Sequence, residues 1–354
     1  MSRFLDERYS GLDAYVPGEQ PQDKKYIKLN TNESPYPPSP QTVDAVNSAE
    51  AENLRLYPDP DGTVLTKKLA ELYGVDSSNV FLANGSDDIL NFAFMAYCAN
   101  GRKSYFADIT YGFYKVFANL HLSDYTQIPL KEDFSIDEKD YFNLDGCIFI
   151  ANPNAPTGLC LSLDKIESII KSNPDNVVVI DEAYVDFGAQ SAVSLVNKYN
   201  NLLVVQTFSK SRSMAGARLG FAIGGTEIIN DLHKLRYSTN PYNINRVTLA
   251  AGAAAVDSQQ YYTDNCKKIE TARDYVTAEL QNMGFEVLPS KANFVFAKTD
   301  KISGEELYLK LKDSGILVRH FTAERIKEYN RITIGTMEQM EILVKKIKEI
   351  TEAL

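Results

Sequence analysis

Between residue 80 and about residue 225 the chain repeats one pattern, a short apolar run followed by a stretch of helical spacing. The candidate strands are Val80–Leu82, Lys103–Phe106, Tyr125–Pro129, Cys147–Ile150, Val177–Ile180, Leu202–Thr207 and Phe221–Ile223. Several are apolar without interruption, as expected of strands covered on both faces. Between them, Leu163–Lys171 carries Ile166, Ile169 and Ile170 at helical spacing. Strands alternating with helices predict an α/β fold with a mostly parallel, seven-stranded sheet.

The two ends differ from this middle. Pro17, Gly18, Pro21, Pro35, Pro37, Pro38 and Pro40 forbid long helices near the N-terminus. That segment reads as an extended arm packed on a protein surface, since it carries Tyr15, Tyr26, Ile27, Leu29 and Tyr36. The turn cluster Tyr57–Gly62 precedes a helix with Leu65, Leu69 and Leu72 on one face. Beyond it, residues 260–283 form one long polar helix, followed by strand-like Phe285–Leu288, Phe294–Ala297, Ile316–Val318 and Arg331–Ile334. Ser303 with Glu306 and Thr336 with Gln339 are spaced as capping boxes. This is a smaller α+β unit. The predicted division is an arm (1–31), a large domain (32–257) and a small domain (258–354).

Lys and Arg total 37 against 47 Asp and Glu, a net charge of −10. An acidic surface repels phosphate backbones and anionic lipid, so neither nucleic acid nor a membrane is an expected partner. An anionic ligand has to be held by a few local arginines and lysines. Cys98, Cys147, Cys160 and Cys266 form no CxxC pair and read as reduced thiols. His121, His233 and His320 show no metal-binding spacing, so no metal is expected. Residues 1–8 are charged and lack an apolar leader, which points to a cytoplasmic protein. The longest apolar stretch, Val247–Val256, is too short to span a bilayer.

Three segments stand at the C-terminal ends of predicted strands, the edge where open α/β sheets bind ligands. They are Cys147–Gly158, Val177–Tyr184, and Leu202–Lys210 with the following Gly216–Gly220. Singly, Asp181, Lys210 and Arg218 suit solvated loop positions. Together they have a chemical logic. A lysine at an apolar sheet edge is a nucleophile toward a carbonyl. An aspartate pairs with a protonated ring nitrogen, and Tyr184 donates to a phenolic oxygen. The amides of Asn84-Gly85-Ser86-Asp87 before a helix, with Ser209 and Arg218, suit a phosphate. The set describes a pocket for pyridoxal 5′-phosphate (PLP).

The chain resembles the fold-type I PLP-dependent aminotransferases, and within them the histidinol-phosphate aminotransferase family. The carriers are Leu12–Gly18, Leu29–Tyr36, Tyr57–Gly62, Thr110-Tyr111, Asn152–Gly158, Asp181–Tyr184, Phe208–Lys210, Val318-Arg319 and Arg331–Thr336, in order along nearly the whole chain. The resemblance implies that Lys210 holds PLP covalently, that Asp181 pairs with the pyridine N–H and that Tyr184 bonds the 3′-oxygen. It implies that Tyr111 stacks on the ring. Gly85, Ser86, Asp87, Ser209 and Arg218 are the implied phosphate cup. Tyr57 is implied to reach the phosphate of a neighbouring subunit, hence a homodimer with shared sites. Tyr15, Glu33, Arg319 and Arg331 are the implied substrate contacts, Glu33 near an imidazole and the arginines on anions. One position departs from the family. Ala155 stands where an asparagine usually contacts the 3′-oxygen, which leaves that oxygen to the adjacent Asn154 or to Tyr184 alone.

The implied reaction is amino transfer from histidinol phosphate to 2-oxoglutarate, a step of histidine biosynthesis. An aromatic-amino-acid transaminase and a threonine-phosphate decarboxylase share this machinery and are the alternatives. A non-catalytic ligand-binding module is a more remote one. It is disfavoured by the intact Lys210 and by the absence of a GxGxxG or P-loop signature.

Overall fold

The structure is a computed structural model that describes residues 9, 11–47 and 52–353. The charged leader-free segment expected at residues 1–8 lies outside these.

After β1 (Ile27–Lys28) come the seven strands of the large sheet: β2 (Val80–Ala83), β3 (Lys103–Ala107), β4 (Asp124–Ile128), β5 (Cys147–Ala151), β6 (Val178–Asp181), β7 (Leu202–Thr207) and β8 (Gly220–Gly224). Their order is β2-β8-β7-β6-β5-β3-β4. Only β8 runs against its neighbours, pairing antiparallel with β2 and β7. All seven expected strands are present, and the sheet is mostly parallel as predicted. Alternate residues feed two separate cores, as a period of two requires. Ile148, Ile150, Ile180 and Val204 pack on one face, and Phe149, Val179, Leu203 and Val205 on the other.

The helices before and between these strands are α1 (Pro40–Asn47), α2 (Thr63–Tyr73), α3 (Ser86–Tyr97), α4 (Phe113–Leu120), α5 (Leu163–Ser172), α6 (Thr226–Thr239) and α7 (Arg246–Asp257). On α2 the buried stripe is Leu65, Leu69 and Ala70, whereas Leu72 is 38% exposed. The expected place of Leu72 on the buried face is therefore corrected: the buried face carries Ala70 beside Leu69, and Leu72 stands at its edge. The apolar Val247–Val256 stretch lies in α7, and no helix among the described residues is long and apolar enough to cross a membrane.

The C-terminal part comprises α8 (Gln259–Asn282), β9 (Glu286–Val287), β10 (Phe294–Lys298), α9 (Gly304–Asp313), β11 (Ile316–Leu317), β12 (Arg319–His320), β13 (Asn330–Thr333) and α10 (Met337–Glu352). Its antiparallel sheet has the order β12-β13-β10-β9. The Thr336–Gln339 capping box is reciprocal. Ser303 caps α9 one-sidedly, because Glu306 turns to Lys310 instead. The strand expected at Ile316–Val318 is split. Ile316–Leu317 pairs with β1, and Arg319–His320 pairs with β13.

The first pairing shows where the N-terminal arm packs, on the C-terminal part of its own chain. Ile27 and Lys28 pair in parallel with Ile316 and Leu317, and the Thr333 amide donates to the Leu29 carbonyl at 3.0 Å. Leu29 is buried in the same core as Phe294 and Leu307.

Candidate active site

Four strand ends converge on one edge of the large sheet. Asp181 is the last residue of β6, and Lys210 lies three residues beyond the end of β7. Because β8 runs the other way, it begins at Gly220 beside both Ala83 and Thr207, which returns Arg218 to this edge. Here glycine is obligatory. A Cβ on Gly220 would lie 2.4 Å from the Gly85 carbonyl carbon and 2.5 Å from the Ser86 amide nitrogen. Gly85 has φ +89°, and its Cβ would meet Arg218 Nη2 at 2.6 Å.

These elements enclose a cavity of about 560 Å³. That is within the range of small-molecule sites. Its lining includes Asp181, Tyr184, Ser209, Lys210, Ser86, Asp87, Tyr111 and Arg218. Tyr15, Arg319 and Arg331 line it too, with the Tyr15 ring centre 6.5 Å from that of Tyr111.

Asp181 is buried. Its Oδ2 accepts the Tyr114 hydroxyl at 2.9 Å and its Oδ1 accepts the Ala183 amide at 3.2 Å. Burial pushes this carboxyl up to about 6, and the two donors pull it the other way. Tyr111 donates to Asp87 Oδ1 at 2.6 Å, and Arg218 Nη2 is 3.1 Å from Asp87 Oδ2. Burial, reinforced by Asp87, holds the Tyr111 phenol well above its ordinary value. The N-terminus of α3 carries no side-chain cap, so its first amides are free for an anion. Thr207 Oγ1 donates to Ser209 Oγ at 3.0 Å, which leaves the Ser209 hydrogen to point elsewhere. Lys210 Nζ donates to the Thr31 carbonyl at 3.3 Å and lies 5.7 Å from the Tyr184 ring centre.

Arg331 Nη2 donates to the Asn30 carbonyl at 2.8 Å, while its buried Nε has no partner among the described residues. Burial lowers the Arg331 guanidinium, with the Tyr184 and Tyr15 phenols acting in opposition. Arg319 donates to the carbonyls of Pro17 and Val16 at 3.4 and 3.3 Å. Tyr15 stacks on Phe113 with ring centres 4.1 Å apart.

Four expected contacts are not on this cavity wall, Gly85 among them. Asn154 gives its amide hydrogens to the Ile109 carbonyl and Thr157 Oγ1, both at 3.0 Å, and its Oδ1 accepts from Thr110. Ala155 lines the wall instead, with Pro153 and Pro156, in a segment that turns back so that the Gly158 amide donates to the Asn154 carbonyl. Glu33 is turned away as well, accepting from Lys28 at 2.8 Å and Thr31 at 2.8 Å. Tyr57 is 77% exposed and stacks on Tyr242 at 4.5 Å, outside its own chain's cavity. Sequence reasoning in turn missed Tyr114 on Asp181 and Asn32 on Tyr184. For Tyr114 the one signal is its spacing of three from Tyr111. For Asn32 there is none, since its partners are 152 and 301 residues away.

The donor set fits PLP. A buried carboxylate suits a protonated ring nitrogen, and a phenol suits the ring oxygen. Uncapped helix amides with Ser209 and Arg218 suit a phosphate, and a lysine stands beside them.

The family of class I and II aminotransferases matches residues 24–347. The histidinol-phosphate aminotransferase of Brachyspira hyodysenteriae is 54% identical over 351 residues, covering 99% of each chain. That of Marinomonas sp. is 52% identical over 353 residues, covering 99% of this chain and 100% of its own. The histidinol-phosphate aminotransferase of Sinorhizobium meliloti, solved in complex with pyridoxal-5′-phosphate, has the same fold. It superposes with a TM-score of 0.86 at 22% identity, covering 93% of this chain and 92% of its own. The chain belongs to the class I and II aminotransferases, which are PLP-dependent enzymes, and within them to the histidinol-phosphate aminotransferase family.

Proposed function

We propose that the protein transfers the amino group of histidinol phosphate to 2-oxoglutarate, giving imidazole acetol phosphate and glutamate, in histidine biosynthesis. The observation that carries this reading is that two arginines, Arg319 and Arg331, line the same cavity as Lys210 and Asp181. An acidic chain has positive charge there for the phosphate of one substrate and the carboxylate of the other. The 54% identity to a relative of that name supports the choice of amine.

When bound, PLP supplies a reactive carbonyl carbon and an electron-accepting ring, by which an amine and a keto group are exchanged. Lys210 Nζ tethers it and serves as the base that takes the α-proton of the amine. The Asp181 carboxylate keeps the ring nitrogen protonated. Tyr184 donates to the 3′-oxygen, and Tyr111 lies against the ring. The amides of Ser86 and Asp87, the Ser209 hydroxyl and Arg218 hold the phosphate, with Gly85 giving Arg218 its space. Tyr15 closes the substrate side.

The proposed assembly is a cytoplasmic homodimer in which Tyr57 completes the partner's phosphate site. Its exposed ring, with Leu54, Leu56 and Val64 also exposed, supports this. Within each chain, the proposed division is a large domain over residues 32–257 and a small one over 258–354.

The test is kcat/KM for histidinol phosphate, histidinol, phenylalanine and threonine phosphate under one set of conditions. Histidinol phosphate should lead by a wide margin. Equal or better rates with phenylalanine overturn the substrate and leave the transaminase standing. Release of CO2 from threonine phosphate identifies a decarboxylase.

A further inference from the structure

Asn32 is 1% exposed and has φ +56°, the left-handed region that asparagine tolerates better than most residues. Its backbone amide donates to Thr333 Oγ1 at 3.0 Å. The Thr333 hydroxyl in turn donates to Asn32 Oδ1 at 2.9 Å. A hydroxyl has one hydrogen, and the structure gives that of buried Thr333 no other acceptor. The oxygen end of the Asn32 amide therefore faces Thr333, and its NH2 end faces Tyr184, donating to the phenol oxygen at 3.0 Å. The Asn32 carbonyl accepts from Asn293 Nδ2 at 3.1 Å, which fixes the backbone as well.

We propose that Asn32, oriented by Thr333, is a positioning residue that directs the Tyr184 hydroxyl hydrogen into the cavity and strengthens it as the donor to the cofactor's 3′-oxygen; this rests on the role assigned to Tyr184 above. The phenol oxygen already receives a hydrogen from Asn32, so its own hydrogen has to go elsewhere. The cavity is the side Tyr184 lines. A phenol that accepts one hydrogen bond becomes a better donor in the next. Ala155, on the same cavity, offers no side-chain donor that would make Tyr184 redundant. The relay runs from the end of β13 through Asn32 to Tyr184 in the turn after β6.

The experiment is a pH titration of the visible absorption of the protein loaded with PLP. It compares wild type, Asn32→Ala, Thr333→Val, Tyr184→Phe, and Thr333→Val combined with Tyr184→Phe. A weaker donor leaves the 3′-oxygen more basic and moves the spectral midpoint up. Asn32→Ala and Thr333→Val should each raise it by roughly half a pH unit to one pH unit. Tyr184→Phe should raise it at least as far, and adding Thr333→Val to that variant should add nothing. Thr333→Val leaves the left-handed backbone of Asn32 intact, so the proposal stays exposed if Asn32→Ala fails to fold. Single variants with the wild-type midpoint overturn the proposal. So does a Thr333→Val shift that persists without the Tyr184 hydroxyl. A loaded wild type with no pH-dependent visible band overturns the functional reading itself, and the proposal with it.

Discussion

Arg319 and Arg331 are direct cross-strand partners in the antiparallel β12–β13 pair. Like charges placed opposite each other destabilise a sheet, and Arg319 acts on Arg331 in that direction. Both are held by backbone carbonyls of the N-terminal segment, at Val16, Pro17 and Asn30, and among the described residues by no carboxylate. An anion beside the pair would relieve it, which suits the substrate role proposed for both.

Arg331→Ala should therefore impair both half-reactions. A hydrogen bond to a charged group contributes roughly 1.5–3 kcal/mol, so kcat/KM should fall on the order of tenfold to a hundredfold. The loss should appear with histidinol phosphate and with glutamate alike. Loss for one substrate alone would mean that the two anions occupy different places.

Tyr114→Phe removes one of the two hydrogen bonds on Asp181 and leaves only the Ala183 amide. The carboxylate proposed to face the ring nitrogen would then cost more to keep ionised. PLP should bind about tenfold more weakly, or ~1.5 kcal/mol, by absorbance titration. Unchanged affinity would reduce Tyr114 to a space-filling role.

Lys210 should be the residue that borohydride labels. Reduction of the PLP-loaded protein should fix a pyridoxyl group on the peptide containing Lys210, and Lys210→Ala should take up none. Labelling of another lysine would move the tether.

Asp181 also makes a prediction about pH. Its folded value of about 6 stands above the ordinary 3.8. In that window the folded chain retains a proton that the unfolded chain has released, so the group subtracts stability as pH rises through it. Relative to Asp181→Asn, cofactor-free wild type should lose melting temperature as pH rises from about 4 to about 6. PLP, with a charged ring nitrogen beside the carboxylate, should abolish the difference. Parallel curves without cofactor would show that the Tyr114 and Ala183 bonds already offset burial.

Much of this site is legible in the sequence because its residues follow apolar strands directly. Asp181, Lys210 and Arg218 each sit within a few positions of a strand whose burial the composition announces. What the sequence hides is contact across long separations. β1 meets β11 through residues nearly the whole chain apart, and Asn32 reaches Tyr184 only after that pairing has formed. Orientation within an extended loop is also hidden. The amide of Asn154 turns to Ile109 and Thr157, and Glu33 turns to Lys28, for reasons set by neighbours that no local pattern names. Leu72 has the right helical spacing for burial, yet the buried face of α2 carries Ala70 and leaves Leu72 partly exposed.

The exposed Tyr57 gives the last prediction. Its ring is 77% exposed and supported by Tyr242, yet it lines no part of its own chain's cavity. A large aromatic held rigidly in the open suits an interface, where it adds contact area at low entropic cost. If it acts on the partner's phosphate site, Tyr57→Ala and Lys210→Ala chains should each be inactive alone. In a mixed dimer, the chain with intact Lys210 receives an intact Tyr57 from the other, while both defects fall on the second site. Equal mixing should restore about a quarter of wild-type activity, from half the dimers with one good site each. Light scattering should report a dimer throughout. No recovery after verified subunit exchange would remove Tyr57 from the partner's site, and a monomer with full activity would remove the shared site altogether.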